Sequence, residues 1–121
     1  MKSRWITHHG KRIFLVDFTD FGSDTALVRE EAKGIVEVVT REPLNSVLAL
    51  SDVRGTAGTL DNVTVMKSVV TRTNRHVRRR AVVGVGGVRQ ALLDMVNRVT
   101  GSKQFAVFHD LEAAKDWLVE E

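Results

Sequence analysis

The chain alternates short apolar runs with amphipathic stretches, and the periods of the two differ. "RWITHH" sets Trp5 among polar neighbours, and "RIFLVDF" is a stronger β run. The intervening "HGK" supplies a tight turn, which predicts an antiparallel hairpin. From Ser23 to about Thr40, Val28, Ala32, Ile35 and Val39 recur at helical spacing, with Ser23 or Asp24 as N-cap and Pro43 beyond the end. "SVLALS" reads as a buried strand. A second helix is expected from about Leu60 to Arg75, with Val63, Met66, Val70, Thr73 and Val77 on one face, although Val and Thr are poor helix formers. "AVVGV" is another buried strand. "VRQALLDMVNRVTG" is a helix with Val88, Leu92, Met95 and Val99 inward and Gly101 as its stop. "FAVF" is a last strand. "DLEAAKDWLVEE" is a last helix, with Asp110 as cap and Leu111, Ala114 and Leu118 inward.

The expected order is ββαβαβαβα: an α/β domain with a mixed five-stranded sheet, β1 antiparallel, β2–β5 parallel, and four helices. Strands that alternate with helices imply right-handed parallel crossovers. No repeat or linker interrupts residues 1–121, so the chain reads as one domain. Such sheets bind ligands beyond the carboxyl ends of their strands. Here residues 17–23, 52–59 and 84–87 would form that edge.

Composition narrows the class. Of 121 residues, 43% are hydrophobic and 27% charged, a globular balance without a membrane-length apolar run or an apolar signal core near the start. The absence of cysteine excludes disulfides, thiolate metal sites and a Cys nucleophile, and fits a cytoplasmic setting. The net charge of +3 is unevenly spread. No acid lies between Asp61 and Asp94, a window that holds Lys67, Arg72, Arg75, Arg78, Arg79, Arg80 and Arg89. On the expected helix, Lys67, Thr71, Arg75 and Arg78 share a ridge, and Arg79 and Arg80 follow at its end. This predicts a basic surface, formed by Lys67, Arg75, Arg78, Arg79 and Arg80, for an anionic partner.

Two loops are candidates for chemistry. In "SDVRGTAGTLD", Asp52, Thr56 and Thr59 form a candidate ligand or phosphorylation loop. Gly55 and Gly58 permit close backbone approach, and Thr59 is placed to cap the next helix. No "GK[ST]" follows, so this is not a nucleoside-triphosphate loop. In "GVGGVR", Gly86, Gly87 and Arg89 form a candidate anion-binding loop, but the third glycine of a dinucleotide fingerprint is replaced by Arg89. None of His8, His9, His76 and His109 shows metal-ligand spacing, and alternation along a strand would send His8 and His9 to opposite faces. The pattern therefore predicts no metal, no cofactor and no catalytic residue.

The opening Trp5 strand with "HGKRIFLVDF", the run "VLALSDVRGT", the junction "AVVGVGGVRQALLDMVNRVTG" and the ending "FAVFHDLEAAKDWL" together resemble the STAS superfamily, within it the SpoIIAA-like group related to anti-sigma-factor antagonists. The resemblance implies a regulatory or binding module rather than an enzyme. It also implies either a small apolar or lipid-like ligand with peripheral contact at an anionic membrane, or a phosphorylation-controlled switch for a protein partner. In the switch proteins a Ser follows the Asp after the third strand, whereas here Val53 follows Asp52. Nucleic acid carries less weight as a partner, because Tyr is absent, aromatics are few and no recognised motif occurs. Oligomeric state is left open, a dimer being one option.

Overall fold

The computed structural model describes residues 1–84 and 104–120. Strands β1 (Arg4–His8), β2 (Lys11–Asp17), β3 (Val47–Asp52), β4 (Val77–Val83) and β5 (Gln104–Phe108) form one sheet in the order β1-β2-β3-β4-β5. β1 runs antiparallel to β2, and every later pair is parallel. Three helices are described: α1 (Thr25–Val39), α2 (Leu60–Thr73) and α3 (Leu111–Val119). The expected helix over 88–101 lies outside the described residues.

Strand alternation gives the sheet two apolar faces. Phe14, Val16, Val47, Ala49 and Val77 pack under α1 and α2 through Val28, Ile35, Val39 and Val69. Ile13, Leu48, Leu50, Ala81 and Val83 face the other way, against Ala114 and Leu118 of α3. The helix ends follow from local chemistry. Asp24, Thr59 and Asp110 each cap a helix by accepting a backbone N–H three residues on, from Leu27, Asn62 and Ala113. α2 carries seven β-branched residues, which cost roughly 4 kcal/mol of propensity relative to alanine. Burial of Val69, Val70 and Thr73 must supply what propensity does not. Asn62, fully buried, fixes the start of α2. It accepts from the Thr25 hydroxyl at 2.7 Å and donates to Ala57 O at 2.9 Å.

One boundary differs from expectation. α2 stops at Thr73, and β4 begins at Val77 rather than at Ala81. The segment "VRRR" is strand because Val77 and Arg80 are buried while Arg78 is exposed, and β3 pairs along it. Arg78, Arg79 and Arg80 therefore do not extend a helical ridge.

Candidate functional site

The loops at the carboxyl ends of β2 and β3 are zipped together. Parallel-type pairing continues past the strands through Phe18 N to Asp52 O at 2.9 Å, Asp20 N to Arg54 O at 3.0 Å, Gly22 N to Gly55 O at 2.9 Å and Ala57 N to Gly22 O at 2.7 Å. Gly55 takes φ +77, and a side chain there would run into the backbone and carboxylate of Asp20. Gly84, at φ +93, presses in the same way on Arg54. The glycine of "RGT" thus serves loop-to-loop approach. Thr56 stitches the same seam: its hydroxyl accepts from Phe21 N at 3.1 Å and donates to Phe18 O. Thr59 is occupied as the cap of α2. Asp52 is 4% exposed and holds Arg54 by a bidentate pair at 2.9 and 2.7 Å, while also accepting from the Arg54 amide. Next to it, burial pushes the Asp17 carboxyl up. The Thr19 hydroxyl and amide, with Lys2 and Arg4, outweigh this and hold it below the usual value. Asp17, Thr19, Asp52, Arg4 and Arg54 line an open cleft of about 460 Å³, in which Asp17, Asp52, Arg4 and Arg54 are all paired with one another or with neighbours.

The predicted basic surface divides. Arg80 is 4% exposed, and burial pulls its guanidinium pKa down to about 10. Among the described residues its hydrogen-bond partner is the Thr73 hydroxyl at 3.2 Å, and its Nε has none. Arg79 lies over the Trp117 ring and donates to the carbonyls of Trp117 and Glu120, closing the end of α3 as a cation at a helix C-terminus does. Arg78 lines a cleft of about 480 Å³ at the opposite end of the sheet, with Trp5, Arg12, Glu42 and Glu120. There Arg12 is paired with Glu42 at 3.6 Å and covers Trp5 at 3.9 Å. Lys67 is exposed midway along α2, and Arg75 is exposed beyond its end. Gly86, Gly87 and Arg89 lie outside the described residues.

Three cations converge without ion-pair partners among the described residues: Arg72, which lies in the acid-free window of the sequence, and Arg29 and Lys33, which the sequence pattern did not single out. Arg29 and Lys33 stand one turn apart on α1, and Arg72 stands on α2. All three are exposed and line a cleft of about 320 Å³ between the helices. Its floor is Ala32, Val36, Val65 and Val69, and its α2 wall adds Thr64, Ser68 and one acid, Asp61. Among the described residues none of Arg29, Lys33, Arg72 and Asp61 forms an ion pair. Size does not single out this cleft, since the two at the sheet ends are larger. Uncompensated charge does: three cations and one acid above an apolar floor favour a ligand with an anionic head and a hydrocarbon tail. The available signal was the i, i+4 pair Arg29/Lys33 bordering the apolar residues Ala32 and Val36.

The histidines also differ from expectation. His8 ends β1, but His9 lies in the turn at φ +49, followed by Gly10 at φ +78. The left-handed turn removes the strand alternation, so the rings of His8 and His9 meet at 4.2 Å.

No protein-family model, curated protein or solved structure matches the chain. No helix among the described residues is long and apolar enough to cross a membrane.

Proposed function

We propose that this protein is a binding module for a small amphipathic anion, with the α1–α2 cleft as its seat. The observation that carries the reading is the set of cations Arg29, Lys33 and Arg72, unpaired among the described residues, over the floor of Ala32, Val36, Val65 and Val69. A carboxylate or phosphate head would meet the three cations, and its first methylenes would cover the floor, each gaining about 0.8 kcal/mol when fully buried. The weak intrinsic propensity of α2 favours adjustment of the cleft, because tertiary packing rather than local preference sets its position. The reading agrees with the SpoIIAA-like resemblance in the sequence, which points to lipid-like ligands and a regulatory rather than catalytic role. The same exposed cations give the module a weak, salt-sensitive attraction to an anionic membrane surface.

A fluorescent long-chain fatty acid titrated into the purified protein tests the reading. Saturable binding is expected, weakened by salt and lost in the Arg29→Gln/Lys33→Gln/Arg72→Gln variant. Inorganic phosphate at the same concentration should not displace the probe, because it has no tail for the floor. Efficient displacement by phosphate would show a simple anion site. Binding unchanged in the triple variant would reject the cleft.

A further inference from the structure

The geometry points to a divalent transition-metal site, for Zn²⁺ foremost, built by His8, His9 and Asp116 where the β1–β2 turn meets α3. His8 Nε2 lies 2.7 Å from Asp116 Oδ1, and His9 Nε2 lies 3.5 Å from the same oxygen. One donor atom from each residue falls within 4.8 Å of the other two. Tetrahedral Zn²⁺, with bonds of about 2.0–2.2 Å to imidazole and carboxylate, sets its donors roughly 3.3 Å apart. The His9–Asp116 separation already matches, and the His8–Asp116 contact must open by roughly half an ångström. His9 is 70% exposed and Asp116 63% at the side chain, so small rotations meet little resistance.

Both sides of the site are held in place independently of a metal. The turn His9–Gly10 has left-handed φ at both positions, and the pairing of His8 with Lys11 fixes the hairpin register. A non-glycine residue at such a φ is uncommon, although histidine tolerates it better than most. Its consequence here is to turn the second imidazole back beside the first. Asp116 is presented by α3, whose Ala114 and Leu118 are anchored in the core at 0% and 1% exposure. Lys11 Nζ donates to Val119 O at 3.2 Å, a second tie between hairpin and helix. Two imidazoles and one carboxylate are borderline-to-hard donors that suit Zn²⁺, leaving a fourth position for water or an external ligand. A bound ion would clamp the hairpin to α3, on the sheet face opposite the α1–α2 cleft. The inference is independent of the proposed anion site.

The test is calorimetric titration of the untagged protein with ZnCl₂ in a buffer that does not bind metal, repeated with CoCl₂ to record visible absorption. One ion per chain is expected, with a tetrahedral-type Co²⁺ spectrum that Zn²⁺ abolishes. At a free concentration near one hundred times Kd, the ion should raise Tm by roughly 10 °C. His9→Gln and Asp116→Asn change exposed side chains and should each weaken binding by about tenfold or more, at least as much as loss of an outer-sphere partner does. His109→Gln should bind as the wild type does. The inference is overturned by the absence of saturable one-to-one binding, by wild-type affinity in both His9→Gln and Asp116→Asn, or by loss of binding in His109→Gln.

Discussion

Two charged clefts in this molecule use the same residue types to opposite ends. At the carboxyl ends of β2 and β3, Asp52, Arg54, Asp17, Lys2 and Arg4 satisfy one another, and backbone hydrogen bonds zip the loops beneath them. Between α1 and α2, Arg29, Lys33 and Arg72 face a single acid that pairs with none of them. The first cleft occupies the place where parallel sheets usually bind ligands, yet Asp17, Asp52, Arg4 and Arg54 there are committed to ion pairs. The second lies off the sheet edge, and among the described residues its cations have no ion-pair partner. Position in a fold nominates a site, whereas the state of its hydrogen bonds and ion pairs decides whether there is anything left to bind with.

The two clefts should differ most in ligand affinity. If each cation contributes about 1 kcal/mol toward an anionic head, replacing Arg29, Lys33 and Arg72 by Gln weakens fatty-acid binding on the order of 100-fold at low salt. Thermal stability should stay within about 0.5 kcal/mol, as for other exposed substitutions. Arg54→Gln should leave affinity unchanged. Equal losses in the two variants, read by fluorescence titration, would erase the distinction.

Next comes stability at the committed cleft. Asp52→Ala removes a nearly buried acceptor from three donors and should destabilise by about 2 kcal/mol in urea unfolding, with fatty-acid affinity unchanged in the folded protein. A loss of affinity without a loss of stability would move the site to this end of the sheet.

Arg80 sharpens the rule, because its charge is neither paired with an acid among the described residues nor exposed. Arg80→Met should be neutral or stabilising by up to about 2 kcal/mol. The sign in pH follows from burial. Burial pulls the folded pKa down from the ordinary guanidinium value to about 10, so above pH 10 the unfolded chain binds more protons and the Arg80 contribution to stability rises with pH. Its replacement should remove that rise from the alkaline unfolding profile, and an unaltered profile would contradict the assignment.

The two helical walls should also differ from the sheet in mobility. Amides of α2 should exchange with solvent faster than those of Ala81–Val83, since packing rather than propensity holds the helix. Equal protection would make the cleft rigid. The smallest effect concerns Asp17, whose carboxyl is held below its ordinary 3.8. The stability this carboxylate adds is present above that value and lost as pH falls through the lower folded pKa. Asp17→Asn should therefore flatten the stability profile below about pH 3.8, and a variant as acid-sensitive as the wild type would remove the cleft's electrostatic role.

The elements were legible where one physical signal dominated. Val28, Ala32, Ile35 and Val39 announce α1, and "VLALS" announces a strand buried on both faces. The parallel strands follow from the alternation of strands with helices, and the antiparallel first strand from the tight "HGK" turn. The start of β4 was hidden because three arginines in succession resemble a solvated helix end. Only the pairing with β3 shows that Arg80 turns inward and Arg79 turns toward α3. The α1–α2 cleft was hidden for a different reason. Arg29 and Lys33 border the apolar stripe of one helix and Arg72 that of another, and no local pattern says which borders will meet. The His8–His9 contact needed the turn angle at His9, and its partner Asp116 lies 108 residues away from His8. The glycines and threonines of "RGTAGT" were legible as conformational and capping residues, but their joint task, closing one loop onto another, is a tertiary fact.

A map of amide chemical shifts on addition of oleate to the isotopically labelled protein would locate the bound ligand. Saturable shifts are expected at residues 29–36 and 61–72, reduced in the Arg29→Gln/Lys33→Gln/Arg72→Gln variant. Shifts concentrated instead at residues 17–20 and 52–56, and retained in that variant, would contradict a seat in the α1–α2 cleft.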